Sequence, residues 1–128
     1  VEMGMVILLL TTIVMGIIEF GRAFMIANMI THAAQDGARM AAVVPTASRN
    51  ARGMILDPTP IRNQVLTELR NVMNTATISS VNVAQGATGG IPTVTVTING
   101  TVPLVFNLPG VGRSFAVARA ATFRDEGR

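Results

Sequence analysis

Cysteine, tryptophan, tyrosine and lysine are all missing from this chain of 128 residues. Without cysteine there is no disulfide, no thiol nucleophile and no thiolate ligand for a metal. Without Trp and Tyr the chain lacks the usual aromatic anchors of a membrane interface, and two of the residues that stack on nucleic-acid bases. All ten basic residues are Arg, at positions 22, 39, 49, 52, 62, 70, 113, 119, 124 and 128. They are scattered, whereas a nucleic-acid footprint needs a basic stripe, so no nucleic-acid partner is expected. Charge is scarce as well: 13% of residues are charged and 49% hydrophobic, against roughly 25% charged in a soluble domain. The scarcity is local. From Val1 to Val44 the ionisable side chains are Glu2, Glu19, Arg22, His32, Asp36 and Arg39. The remainder reads as an ordinary small α+β domain.

What is present is an uncharged run from Met3 to Ile18 with a carboxylate, Glu2, at its front. Signal peptides place positive charge there instead, and an isolated carboxylate is costly in hydrocarbon. The first residue is Val rather than Met, which suggests a processed product or a trimmed chain. No Pro occurs before Pro45, so residues 1–44 are expected to form one continuous helix. At 1.5 Å per residue it reaches about 65 Å, roughly twice the hydrocarbon thickness of a bilayer. Its first half is apolar all round. Its second half narrows to a stripe of Phe24, Ala27, Ile30 or Thr31, Ala34, Ala38 and Ala41. The expected division is therefore an apolar membrane or filament-core half, residues 1–24, and a globular domain, residues 25–128, that includes the rest of the helix.

Pro45 ends the helix, because the residue before a proline is pushed out of helical angles. A polar loop is expected over Thr46–Thr59, with Arg49 and Arg52 solvated. Thr59-Pro60 starts a second helix with a capping hydroxyl, and Ile61, Val65, Leu66, Leu69, Val72 and Met73 follow helical spacing. After Asn74 the period changes to two. A strand is expected over Thr77–Val83, with Ile78 out of phase. A Gly-rich connector, Gln85–Gly90, leads to a strand over Thr93–Ile98. Asn99-Gly100 is the strongest short hairpin-turn signal in the sequence. It predicts a return strand over Thr101–Asn107, with Pro103 at an edge or bulge. Leu108–Gly112 is a turn. Ser114–Phe123 forms a last strand, with Phe115, Val117, Arg119, Ala121 and Phe123 in phase.

Catalytic and cofactor chemistry finds little to stand on. His32 and Asp36 share a helix face, but no second His, no Cys and no acidic cluster joins them, so a surface histidine is the better reading. Gly86, Gly89 and Gly90 lie between two strands with no helix after them, unlike a phosphate loop. Asn99-Gly100-Thr101 matches the glycosylation pattern, but the expected turn accounts for Asn-Gly there. Asp125 and Glu126 read as solvated carboxylates at a frayed end. Neither catalytic, cofactor-binding nor metal residues are expected, and an enzyme is not.

The first helix holds three features that simple anchoring does not explain. Glu2 stands beside the amino terminus, where its own amine or a neighbouring subunit's can pair with it. Glu19 and Arg22 are three residues apart, so they can pair and lower each other's desolvation cost, or both can sit at the water boundary of a membrane. Small residues at spacing four, Ala34-Ala38-Ala42 and Ala33-Gly37-Ala41, suit close packing on the chain's own domain. Gly16 and Gly21 suit close contact with other chains.

The segments Val1-Glu2-Met3-Gly4, Gly16 to Phe24 with its Glu19-Phe20-Gly21-Arg22 patch, and Ala33-Ala34-Gln35-Asp36-Gly37-Ala38-Arg39 stand in order on that one helix. Together they resemble the TadE-like family of tight-adherence, type IV-like pilins. The shared motifs cover about the first third of the chain. Two positions depart from the family pattern: the acid stands second rather than several residues in, and Met3 replaces the aromatic that commonly follows it. The resemblance implies a structural pilin, processed by a prepilin peptidase and held in the inner membrane. Pilus assembly machinery then extracts it, and it polymerises with copies of itself into a helical filament on the cell surface. It places assembly on Val1, Glu2, Gly16, Glu19, Phe20, Gly21 and Arg22. A minor pilin that initiates or caps the filament is the alternative within the class. A single-pass membrane-anchored binding module is the alternative outside it. The expected fold is α+β: a long apolar helix protruding from a small domain with a second helix and three to four antiparallel strands.

Overall fold

The computed structural model describes residues 1–72, 77–106, 110 and 112–126. Its order is α1 (Glu2–Ala42), a short 3-10 turn (Thr46–Ser48), α2 (Thr59–Val72), β1 (Thr77–Thr88), β2 (Ile91–Pro103) and β3 (Ser114–Arg124). The three strands form one antiparallel sheet in the order β1-β2-β3. The fold is α+β, as the periodicities predict, and α1 ends within two residues of the expected limit. Val43 closes it, with the Val43 amide donating to the Arg39 carbonyl and the Val44 amide to the Ala41 carbonyl.

The helix is buried on one side only from its middle onward. Its buried residues are Glu19, Ile26, Ile30, Ala33, Ala34, Gly37, Ala38, Ala41 and Ala42. Both small-residue ladders therefore lie against the domain, but Phe24, expected on the docked stripe, is 62% exposed and Ile26 takes its place. The core joins this stripe to Val65 and Leu69 of α2 and to Val81, Val96, Ile98, Val102 and Val117 of the sheet. Gly37 marks the closest approach. A Cβ there lies 2.6 Å from Val65 Cγ2 and 3.4 Å from Val96 Cγ1. Valine is stiff at χ1, and Val65 is 1% exposed and Val96 fully buried. Gly37→Ala is thus expected to destabilise the domain by about 1–3 kcal/mol through overpacking, read as a lower midpoint in thermal unfolding of the detergent-solubilised chain.

Helix α2 begins where Thr59-Pro60 predicts, but its cap comes from further upstream. Asp57 Oδ1 accepts the Thr59 amide at 2.9 Å, and hydrogen bonds from the Thr59 side chain and amide hold the Asp57 carboxyl below its ordinary range. Ile61, Val65 and Leu69 are buried as their spacing requires. The Val72 side chain, Met73, Asn74, Asn107 and most of the Leu108–Gly112 turn lie outside the described residues.

The sheet corrects the hairpin. Asn99-Gly100 is no turn: β2 runs through it without a break, pairing Asn99 with Ser80 and Ala118. The inward phase explains why. Val94, Val96, Ile98, Gly100 and Val102 are all buried in alternation, and a reversal at Asn99 discards the burial of Val102. The β1–β2 reversal falls instead at Gly89-Gly90, with φ of +59° and +82°, values that glycine adopts without steric cost. The expected connector from Gln85 is consequently strand up to Thr88. The phase error at Ile78 is a real irregularity, a register shift between Ile78 and Ser80. The glycosylation-like triplet loses its turn explanation, and Asn99 Nδ2 donates to Ser80 Oγ at 3.2 Å.

The loop after α1 also differs from expectation. Arg49 is buried, not solvated, and so is Asp125; the two side chains meet at 2.7 Å with none of either exposed. Arg49 also donates to the carbonyls of Val44, Gly53 and Ala41. Gln85 Nε2 donates to Asp125 Oδ2 at 2.9 Å, and Gln85 Oε1 accepts the Ile55 amide. The end of β3 is closed onto the end of α1, with the Glu126 amide donating to the Ala42 carbonyl at 3.1 Å.

Candidate assembly and membrane site on the first helix

From Val1 to Val14 every residue of the chain is exposed, and the large apolar side chains Met5, Leu8 and Ile17 stand 66–73% in the open. Among the described residues one helix, α1, is long and apolar enough to cross a membrane by length and composition. Its two hydroxyls within that run are already satisfied: Thr11 Oγ1 donates to the Ile7 carbonyl at 2.8 Å and Thr12 Oγ1 to Leu8 at 2.9 Å. Such back-bonding makes a threonine tolerable in hydrocarbon, where every polar group needs an internal partner. Glu2 is exposed at the tip and makes no ion pair among the described residues. Gly16 and Gly21 have open space where a Cβ would sit.

Glu19 is different. It is 4% exposed, and the domain supplies its partners. Oε1 accepts the backbone amides of Val105 at 2.6 Å and Phe106 at 2.8 Å. Oε2 accepts Arg22 Nη2 at 3.2 Å and Arg22 Nε at 3.4 Å, and Arg22 Nη2 also donates to the Pro103 carbonyl. The segment that delivers these groups leaves β2 at Pro103 and is closed at its base by the Leu104 amide donating to the Arg113 carbonyl at 2.8 Å. The carboxylate thus holds four donor contacts from one side chain and two successive amides, a charge-assisted arrangement stronger than neutral hydrogen bonds.

Of the residues singled out in the sequence, the structure brings together Glu19 and Arg22. Phe20 and Gly21, between them, face outward, Phe20 being 74% exposed. Val1 and Glu2 lie at the far tip, about 25 Å along the axis from Glu19. The partners that sequence reasoning missed are Val105, Phe106 and the Pro103 carbonyl. All act through the backbone, so their side chains carry no signal of the role. On the opposite half of α1, His32 and Asp36 are exposed and face Glu68 of α2. Burial, then the charge of Asp36 and its hydrogen bond, raise the Glu68 carboxyl above its ordinary range, and His32 opposes this. Among the described residues no group of three or more His, Cys, Asp or Glu gathers as a metal site requires.

The model of the TadE-like protein family matches residues 1–39. No curated protein and no solved structure matches the chain. The matched segment runs from the exposed tip through the Glu19–Arg22 pair to Arg39, near the end of α1. Over that N-terminal segment the chain is similar to the TadE-like protein family.

Proposed function

We propose that the chain is a structural pilin subunit, which waits in the inner membrane and polymerises through α1 into an extracellular filament. The observation that carries this reading is the first half of α1. From Met3 to Val14 it carries no charge, is exposed on every side and is covered by nothing in its own domain. Apolar surface of that extent seeks lipid or other chains, at about 25 cal/mol per Å² buried. In a bundle of such helices, copies of the chain replace lipid around one another. Head-to-tail contacts that do not close then build an open filament. Gly16 and Gly21, with open space at their Cβ positions, let neighbouring helices approach closely. Glu2 supplies a charge at the tip that a cationic group of a neighbouring copy can neutralise. A prepilin peptidase and the assembly machinery are the partners this route requires.

Electron microscopy of sheared surface filaments, with mass spectrometry of their subunits, tests the proposal. The chain is expected as the stoichiometric component; its retention in the membrane, or its presence only in trace amounts, would sink the shaft reading. Glu2→Ala is expected to lower filament yield severalfold while membrane insertion stays at the wild-type level. Normal yield from that variant removes Glu2 from assembly.

A further inference from the structure

Sixteen uncharged residues, Met3 to Ile18, reach about 24 Å as helix, short of a hydrocarbon core of ~30 Å. The charge that ends this run is, however, hidden. Glu19 is 4% exposed beneath the backbone of Val105 and Phe106, while its helical neighbours Ile18, Phe20 and Phe24 are 55–74% exposed. The outward surface of α1 therefore stays apolar past the carboxylate to Phe24, a stretch of about 33 Å. The covering segment continues that surface, since Val105 presents an aliphatic side chain 65% exposed. We propose that residues 104–106 form a lip that lies in the lipid interface, masks Glu19 from the bilayer and lets the chain insert as far as Phe24.

The physical logic is mismatch. A short apolar span has to thin the bilayer, recruit flanking residues or pull its domain toward the membrane. Here the domain itself supplies the missing length. It satisfies the carboxylate with two amides and Arg22, and it places Val105 where the charge would otherwise meet lipid. Arg22, with a fifth of its side chain exposed, can extend toward the headgroups while its pair with Glu19 persists. The occupant of the lip is thus a phospholipid surface, because the lip is continuous with the helix face that inserts.

This inference rests on the membrane-held state of the proposed function, and the test separates the two. The native chain has no Trp, so Val105→Trp, Val6→Trp and Leu56→Trp each introduce a single indole. The full chain carrying one of them is reconstituted at high dilution in phosphatidylcholine–phosphatidylglycerol vesicles, with and without lipid brominated near the top of the acyl chain. Val105→Trp is expected to emit at shorter wavelength than Leu56→Trp and to lose most of its emission to the brominated lipid, with Leu56→Trp unaffected. Adding Glu19→Gln to Val105→Trp is expected to reduce that quenching as the lip is released. Quenching of Val6→Trp without quenching of Val105→Trp overturns the lip and leaves the anchor intact. No quenching at either site overturns the membrane-held state itself. A blue shift at Val105→Trp that vanishes on dilution, with no bromine quenching, assigns the surface to a second copy and likewise overturns the proposal.

Discussion

Glu19→Gln is expected to lower the stability of the domain, because it removes the charge that Arg22 and two backbone amides converge on. The substitution keeps the shape and length of the side chain. It removes the charge and replaces one acceptor oxygen with an NH2 group. If the remaining oxygen still faces Val105 and Phe106, the new donors point at Arg22, also a donor. If the amide flips, the two backbone amides face donors instead. Either orientation breaks one half of the arrangement observed at 2.6–3.2 Å. Arg22 is only partly desolvated, with 20% of its side chain exposed, which holds the cost below that of a fully enclosed pair. Glu19→Asp tests geometry separately. It keeps the charge but withdraws it by a methylene from amides fixed by the backbone, and an intermediate loss is expected. Chemical denaturation in detergent, with hydrogen exchange at the Val105 and Phe106 amides, reads both effects. Unchanged protection of those amides in Glu19→Gln would show that the carboxylate does not hold the loop.

Arg49→Met is expected to cost more, about 3–5 kcal/mol, because it takes the countercharge from a fully buried carboxylate that keeps the neutral Gln85 donor. In the native chain Arg49 and Asp125 are both completely enclosed and meet at 2.7 Å. Arg49 also answers three backbone carbonyls, those of Val44, Gly53 and Ala41. Methionine fills much of the volume of the arginine stem but satisfies none of these groups. A domain of this size loses several degrees of midpoint per kcal/mol, so a fall on the order of 15 °C or more is expected in thermal unfolding. The loop that follows α1 is expected to become open to trypsin at Arg52, which is exposed. Arg49→Met combined with Asp125→Leu removes that carboxylate as well and should recover part of the loss, a non-additivity that marks direct coupling. A single-variant shift of only a few degrees would mean that water reaches the pair.

The long helix was legible because its signal is local: an unbroken apolar composition, then a stripe at helical spacing, then Pro45. The β2 strand shows where local signals fail. Asn99-Gly100 favours a turn by its own backbone preferences, but Val102 continues the inward alternation of Val94, Val96 and Ile98. The burial of a continuous strand outweighs the turn preference of two residues, and Gly89-Gly90 make the reversal without strain. The site divides in the same way. The Glu19–Arg22 pair is a spacing of three on one helix and can be read directly. Its amide partners lie 86 and 87 residues away and act through the backbone, so no residue type betrays them. Arg49 and Asp125, 76 residues apart, each look like a surface charge until the chain folds them together.

The closure of the last strand onto the end of α1 has a mechanical consequence. The helix is fastened to the sheet side of the domain at two places. One is Glu19 against the segment that follows β2; the other is Ala42 against Glu126, reinforced by Arg49 and Asp125. These fasteners stand about 35 Å apart along the helix. Between them Ile26 and Ile30 are buried in the core, and Gly37 sits tightly against Val65 and Val96, so the interval is keyed to the domain as well. A pull along the exposed half of α1 therefore cannot draw the helix through the domain by slipping one turn at a time. It has to rupture a charged clasp at one end or tear the last strand away at the other. Tension applied to the tail is borne by the whole domain.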